Sequence, residues 1–166
     1  MDDPLVSDEA RGLIADLTVR RQTVATAESL TAGLLAATLA GVPGASAVLL
    51  GGLVTYTEAT KIALAGVARE LLADVGPVAA PTARALAVGA QQRCLATWGV
   101  GLTGAAGPEP HGGHPVGTVF LGLAGPPGSA DGCHVHELHL SGSRWDIRRA
   151  AVHEAIVRLR ALVAAG

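Results

Sequence analysis

The sequence predicts an α/β protein, a three-layer α/β/α sandwich around a mixed, mostly parallel sheet of about five strands. Three observations carry that prediction. Segments of helical and strand periodicity alternate along the chain. Hydrophobic residues make up 49% of the 166 residues and charged residues only 16%, a composition that buries a core rather than staying disordered. Aromatic residues are nearly absent (Tyr56, Trp98, Phe120 and Trp145), so the core is built from small aliphatics that pack layers closely and suit a buried parallel sheet. A chain of this length is one domain by size, and residues 1–166 are expected to form it.

Each element follows from a local pattern. Ser7 caps an amphipathic helix to about Arg21, with Leu13, Ile14, Leu17 and Val19 set among charges. Thr23 to Ala27 is a short β-branched strand. Ser29 stands at its junction with a helix carried by Leu34, Leu35 and Leu39. Ser46 to Tyr56 reads as a strand in which Gly51-Gly52 marks a bulge or a close approach. Short helices are expected over Glu58 to Ala65 and Ala68 to Val75, and Pro81 opens a longer one to about Thr97. Val100 to Thr103 is a short strand running into a glycine-rich loop, Gly104 to Pro115. Val116 to Ala124 and Cys133 to Leu140 pair as a candidate hairpin, and Ser143 to Ala164 is a closing amphipathic helix. In such sheets ligands bind at the carboxyl ends of strands, so the junctions after Ala27, Tyr56 and Thr103 should face one crevice.

Composition also bounds function. The net charge of -2, without a basic run or aromatic platforms, argues against nucleic acid. From Ser29 to Thr57 no residue is charged, but glycines and Pro43 break the run into a buried helix, turn and strand, so no membrane span is expected. The acidic Met1-Asp2-Asp3-Pro4 start does not resemble a signal peptide, which points to the cytoplasm. Cys94 and Cys133 read as small buried hydrophobes.

Four clusters carry candidate chemistry. Lys61 is the only lysine in the chain, and the other cations are all arginine. A desolvated lysine amine can lose its proton and a guanidinium cannot, so a lone lysine in this background is a candidate general base. It ends the run Thr55-Tyr56-Thr57-Glu58-Ala59-Thr60-Lys61. There Tyr56 is either a core aromatic or a group that orients Lys61 or a substrate. In Ala27-Glu28-Ser29-Leu30-Thr31-Ala32-Gly33, Ser29 is either a helix cap or a nucleophile beside free backbone N–H groups. Thr103-Gly104-Ala105-Ala106-Gly107-Pro108, followed by His114-Pro115-Val116-Gly117-Thr118, lets backbone approach a ligand closely. Arg144 and Arg148 share one helical stripe, as a solvated face or as a phosphate fork. Gly99-Val100-Gly101-Leu102-Thr103-Gly104 fits a dinucleotide pattern but lies within a strand and opens no helix, so it is rejected. His134 and His136 share a strand face without a third ligand at metal spacing, and no metal or other cofactor is expected.

Together these motifs resemble the C-terminal domain family of competence/damage-inducible protein A (CinA), over roughly Ser7 to Val163. Ala27 to Gly33 resembles the family's Ala-Glu-Ser-Cys-Thr-Gly-Gly, and Gly51 to Lys61 its Gly-Gly-x-Val-x-Tyr run ending in lysine. Thr103 to Pro108 and Pro115 to Val119 match Thr-Gly-x-Ala-Gly-Pro and Pro-Val-Gly-Thr-Val, and Gly142, Arg144 and Arg148 match its closing arginines in part. Leu30, Ala32, Glu58 and Ser143 depart from the pattern, where cysteine, glycine, asparagine and aspartate are usual. A carboxylate at Glu58 that reached the amine would hold Lys61 protonated.

The resemblance implies an amidohydrolase that converts nicotinamide mononucleotide (NMN) to nicotinic acid mononucleotide and ammonia. Ser29 would be the nucleophile and Lys61 the base, with Tyr56 and Thr103 positioning Lys61 or the amide. Backbone N–H groups near Leu30, Thr31 and Ala32 would receive the oxyanion, with Gly33 beside them in the substrate site. Gly51, Gly52, Gly104, Ala105, Gly107 and Arg144 would complete the nucleotide site. The expected partner is this small molecule together with further copies of the chain. Two alternatives stay open: a nucleotide-binding regulatory module whose catalysis is lost, and a histidine metallohydrolase.

Overall fold

The computed structural model describes residues 3–129 and 132–166. Met1 and Asp2, on which part of the reading of the N-terminus rests, and Ala130-Asp131 in the loop before the last strand lie outside them. Among the described residues six α-helices and five strands follow one another in the expected order: α1 Asp8–Arg20, β1 Val24–Glu28, α2 Leu34–Ala40, β2 Leu49–Val54, α3 Glu58–Ala65, α4 Arg69–Val75, α5 Ala80–Cys94, β3 Trp98–Gly104, β4 Thr118–Ala124, β5 Cys133–His139 and α6 Arg144–Ala165. The sheet order is β2-β1-β3-β4-β5. β2, β1 and β3 pair in parallel, and β4 runs antiparallel to both β3 and β5, so only β4 is reversed. The hairpin expected at the end of the chain is β4–β5.

Local chemistry sets the ends of these elements. Ser7 accepts from the Ala10 N–H and caps α1. Thr57 and Thr60 form a capping box on α3, and Ser143 and Asp146 form one on α6, so Ser143 does the work of a capping acid. The helix expected to reach Thr97 stops at Cys94 because Leu95 turns left-handed, with φ 55°. β3 begins two residues before the expected Val100, since Trp98 and Gly99 pair with Val24 and Ala25.

The two faces of the sheet differ in side-chain size. Val24, Val100, Leu102, Val119, Leu121 and Leu123 point toward α1, α2 and α6 and form the main core with Leu13, Leu17, Ile156 and Leu159. Ala25, Ala27, Gly99, Gly101, Gly122 and Ala124 face the α5 side. With almost no side chain between them, α5 settles directly on the strands. A β-carbon at Gly99 would meet the Ala87 carbonyl, and one at Gly101 or Gly122 the Ala83 carbonyl. The glycines of the rejected dinucleotide pattern are therefore packing glycines. Gly51 and Gly52 have the same job at the sheet edge. A β-carbon on Gly52 would lie 2.8 Å from Ala36 Cβ, and one on Gly51 3.1 Å from Cys94 Sγ. The register also slips by one residue between Val24 and Ala25, so the expected bulge is present as well, at Leu50.

Gly101→Ala should therefore destabilise the protein by roughly 2–3 kcal/mol. Gly51→Ala, where one flexible thiol can shift, should cost under about 1 kcal/mol. Denaturant midpoints of the two variants test the contrast.

Candidate active site

The parallel arrangement puts the carboxyl ends of β1, β2 and β3 on one edge, as the crevice argument requires. A cleft of about 390 Å³ opens there, within the range of about 300–1,000 Å³ usual for small-molecule sites. Its walls include Ser29 and Leu30 after β1, Tyr56 to Glu58 and Lys61 after β2, Thr103 to His111 after β3, and Arg144 at the start of α6.

Lys61 is 2% exposed, among the largest fully buried side chains of the protein. The Thr57 cap starts α3 so that Lys61 lies one turn in, beneath the cleft. Its Nζ sits 2.9 Å from Ser29 Oγ and 2.9 Å from the Thr55 carbonyl oxygen. The carbonyl can only accept, so it takes one N–H and leaves the rest of the amine to face Ser29. Burial pushes the Lys61 pKa from 10.5 down to about 8, against a smaller upward pull from Glu58. Desolvation therefore outweighs the carboxylate that the sequence suggested would hold the amine protonated.

Ser29 is 9% exposed and does not cap α2, which begins only at Leu34. The cap is Glu28, fully buried, and its carboxylate oxygens accept from the N–H groups of Gly33, Leu35 and Ala36 and from Thr26 Oγ1. A carboxylate beneath a helix N-terminus is favourable both as a cap and toward the helix dipole. Sequence reasoning missed Glu28. The only signal was an acid between a buried strand and an uncharged helix.

The turn between Ser29 and Gly33 is tight. Its Ala32 N–H donates to the Ser29 carbonyl at 3.1 Å, and Ala32 holds φ 49°, where glycine is usual. The N–H groups of Leu30 and Thr31 have no hydrogen-bond partner among the described residues.

The other expected site residues divide. Leu30, Tyr56, Thr103, Gly104, Ala105, Gly107 and Arg144 line the cleft. Thr31, Ala32 and Gly33 do not line it, and Gly51 and Gly52 pack against Cys94 and Ala36 at the sheet edge rather than in the cleft, which corrects their expected place in the nucleotide site. Tyr56 and Thr103 do not bond Lys61. The Tyr56 hydroxyl accepts from Arg144 Nη2 at 2.8 Å, and the Thr103 hydroxyl donates to the Pro77 carbonyl at 2.6 Å, tying β3 to the approach of α5. The lysine is instead positioned by the Thr55 backbone, which no side-chain pattern could reveal.

Arg144 also donates to the Gly107 carbonyl at 2.6 Å, bridging the glycine loop to Tyr56. Arg148 turns to the Ser29 turn, with Nε 3.0 Å from the Leu30 carbonyl and Nη2 3.1 Å from that of Thr31. Neither arginine belongs to a merely solvated face. Among the described residues no three His, Cys, Asp or Glu side chains converge as a metal site, and no helix is long and apolar enough to cross a membrane.

The sequence model of the CinA C-terminal domain matches residues 7–163. The chain belongs to this family. A CinA-like protein of Frankia casuarinae is 44% identical over 95% of the chain, and one of Anaeromyxobacter sp. is 50% identical over 89%. The chain spans 36% and 35% of those relatives' lengths, about a third. A competence/damage-inducible protein structure from Agrobacterium tumefaciens superposes with a TM-score of 0.88 at 37% identity, covering 98% of both chains. A CinA superfamily protein from Klebsiella pneumoniae gives 0.90 at 26% identity, covering 96% of this chain and 98% of its own. The five-stranded α/β fold is thus the fold of the CinA family.

The lowered pKa of Lys61 has a stability consequence. Between about 8 and 10.5 the unfolded chain holds more of this proton than the folded one, so stability rises with pH across that window. The full rise is up to roughly 3 kcal/mol. Lys61→Met removes the group. It should be more stable than wild type at pH 7, with the advantage shrinking as pH climbs to 10.5. Denaturant melts of both proteins across that range check it, and a constant difference contradicts it.

Proposed function

We infer that this CinA domain is an amidohydrolase that cleaves the carboxamide of NMN, giving nicotinic acid mononucleotide and ammonia. One observation carries the reading: a buried amine with its pKa lowered to about 8 lies 2.9 Å from a serine hydroxyl at the floor of a cleft. A serine alcohol is a weak nucleophile until an adjacent base takes its proton, and a neutral lysine is such a base.

In the neutral state the Lys61 lone pair accepts the Ser29 O–H. Ser29 Oγ attacks the carboxamide carbon, the proton passes to Nζ, and the carbonyl electron pair moves onto oxygen. The free N–H groups of Leu30 and Thr31 are the donors available to that oxyanion. The lysine ammonium then gives its proton to the departing nitrogen as the C–N bond breaks, releasing ammonia and leaving an ester on Ser29. Water, deprotonated by the again neutral Lys61, hydrolyses the ester. This is the serine–lysine form of triad logic.

The nucleotide end has its own groups. A guanidinium carries five N–H donors, and Arg144 uses only two toward Gly107 and Tyr56, leaving others for a phosphate. The departures at Leu30, Ala32 and Glu58 leave the serine–lysine contact intact, which favours a catalytic reading over a binding module.

Ammonia release from NMN is the direct test. Ser29→Ala and Lys61→Arg should each lose on the order of 10⁴-fold in rate. The arginine keeps charge but cannot serve as base, so near-normal turnover by a folded Lys61→Arg protein would falsify the mechanism. In wild type, kcat/KM should rise with pH through about 8, as the amine loses its proton. A rate flat from pH 6 to 9 contradicts it.

A further inference from the structure

The turn bearing Ser29 is held from two sides by groups outside the cleft. Glu28 takes N–H groups beyond the turn, as described. Arg148, in the second turn of α6, takes carbonyls within it, those of Leu30 and Thr31. Two N–H donors on one planar guanidinium fix orientation as well as distance. The Arg148 Cζ also lies over the Trp145 ring, 5.7 Å from its centroid, which restrains the side chain further. Among the described residues no carboxylate forms an ion pair with Arg148. Its polar partners are these two carbonyls.

A trans peptide points its C=O and the following N–H to opposite sides. Anchoring the Leu30 carbonyl on Arg148 therefore fixes the Thr31 N–H away from α6. Anchoring the Thr31 carbonyl fixes the Ala32 N–H, which closes the turn on Ser29. Of these two N–H groups, the Thr31 one is left without a partner among the described residues, next to Leu30, which lines the cleft. Arg144, one turn earlier, lines the cleft, whereas Arg148 does not.

We propose that Arg148 is a positioning residue that holds the Leu30–Thr31 peptide so that the Thr31 N–H meets the oxyanion formed when Ser29 attacks. The proposal rests on the serine–lysine reading above. Arg148 exchanges no proton in the step; the proton passes from Ser29 Oγ to Lys61 Nζ.

Two readouts test it. One is ammonia release from NMN. The other is phosphonylation of Ser29 by a fluorophosphonate, which uses the nucleophile and the oxyanion donors but no amide. Arg148→Met should lower kcat and the phosphonylation rate by roughly 10²-fold, the scale of one lost oxyanion donor. KM should stay within about threefold. The pH midpoint near 8 should not move, because the surroundings of Lys61 do not change. Added guanidinium should restore part of the rate. Arg148→Lys keeps the charge without the two-pronged geometry and should fall between, giving a second variant if the methionine protein does not fold. Wild-type rates in either folded variant overturn the proposal, as does a raised KM with unchanged kcat. Failure of both variants to fold also counts against it, since the residue then serves the fold alone. If wild type is labelled at Ser29 yet releases no ammonia from NMN, the substrate reading falls while the labelling rates still decide Arg148. If wild type does neither, both fall.

Discussion

Everything at the cleft depends on burying one amine. A lysine taken out of water loses more hydration as a cation than as a neutral base, so its proton becomes easier to remove. The fold supplies that burial by placing Lys61 at the first turn of α3, under the ends of β1 and β2, with 2% of its surface exposed. The Thr55 carbonyl then gives the amine a direction. Without the carbonyl the same burial would yield a more easily deprotonated but poorly aimed amine. Without the burial, Ser29 would face an ammonium that has no room for its proton.

Costs gather around this pair, although left-handed backbone at a non-glycine residue also occurs at Arg21 and Leu95. Ala32 sits in a left-handed conformation that disfavours a β-carbon by about 1 kcal/mol. The hydroxyls of Thr31 and Thr55 are buried with no partner among the described residues, one in the nucleophile turn and one in the residue that holds the lysine. An unsatisfied buried polar group costs on the order of 1–3 kcal/mol. Destabilising features of this kind persist where surrounding structure over-determines them, and functional sites are where they cluster. Here the over-determination is visible: Glu28 grips the start of α2 with both carboxylate oxygens, and α5 lies so close to the sheet that β3 has no freedom to shift.

The layers and the dyad were legible in the sequence, for different reasons. Alternating periods and capping residues such as Ser7 set the elements, and a single lysine among arginines pointed to the side chain that lies 2.9 Å from Ser29 Oγ. What stayed hidden was carried by backbone. Glu28 caps from five to eight residues away across a turn, so no local spacing announces it. Thr55 acts through its carbonyl, which every residue possesses. Gly51 and Gly52 carry the same signature whether a ligand or another helix comes close, and the sequence cannot say which. Arg148 shares a stripe with Arg144, and a stripe does not show which carbonyls lie opposite it.

Glu58 illustrates why magnitudes, and not residue types, decide such a site. A carboxylate three residues before a lysine proposed as a base looks disabling, since opposite charges within a few ångströms favour the charged amine. Yet no ion pair forms between them among the described residues, and Glu58 lies on the first turn of α3 where water screens it. The amine lies beneath, with only 2% of the Lys61 surface exposed. Two charges in one helix turn thus feel different dielectrics, and the buried one sets the balance. The net effect still leaves the pKa near 8, so at pH 7 about a tenth of the molecules hold the neutral base. In the proposed mechanism that fraction suffices, because the protonated majority is in rapid exchange with it. In that mechanism the amine that takes the serine proton also matches the task of returning it to a departing nitrogen, since a pKa near the working pH serves both directions of transfer.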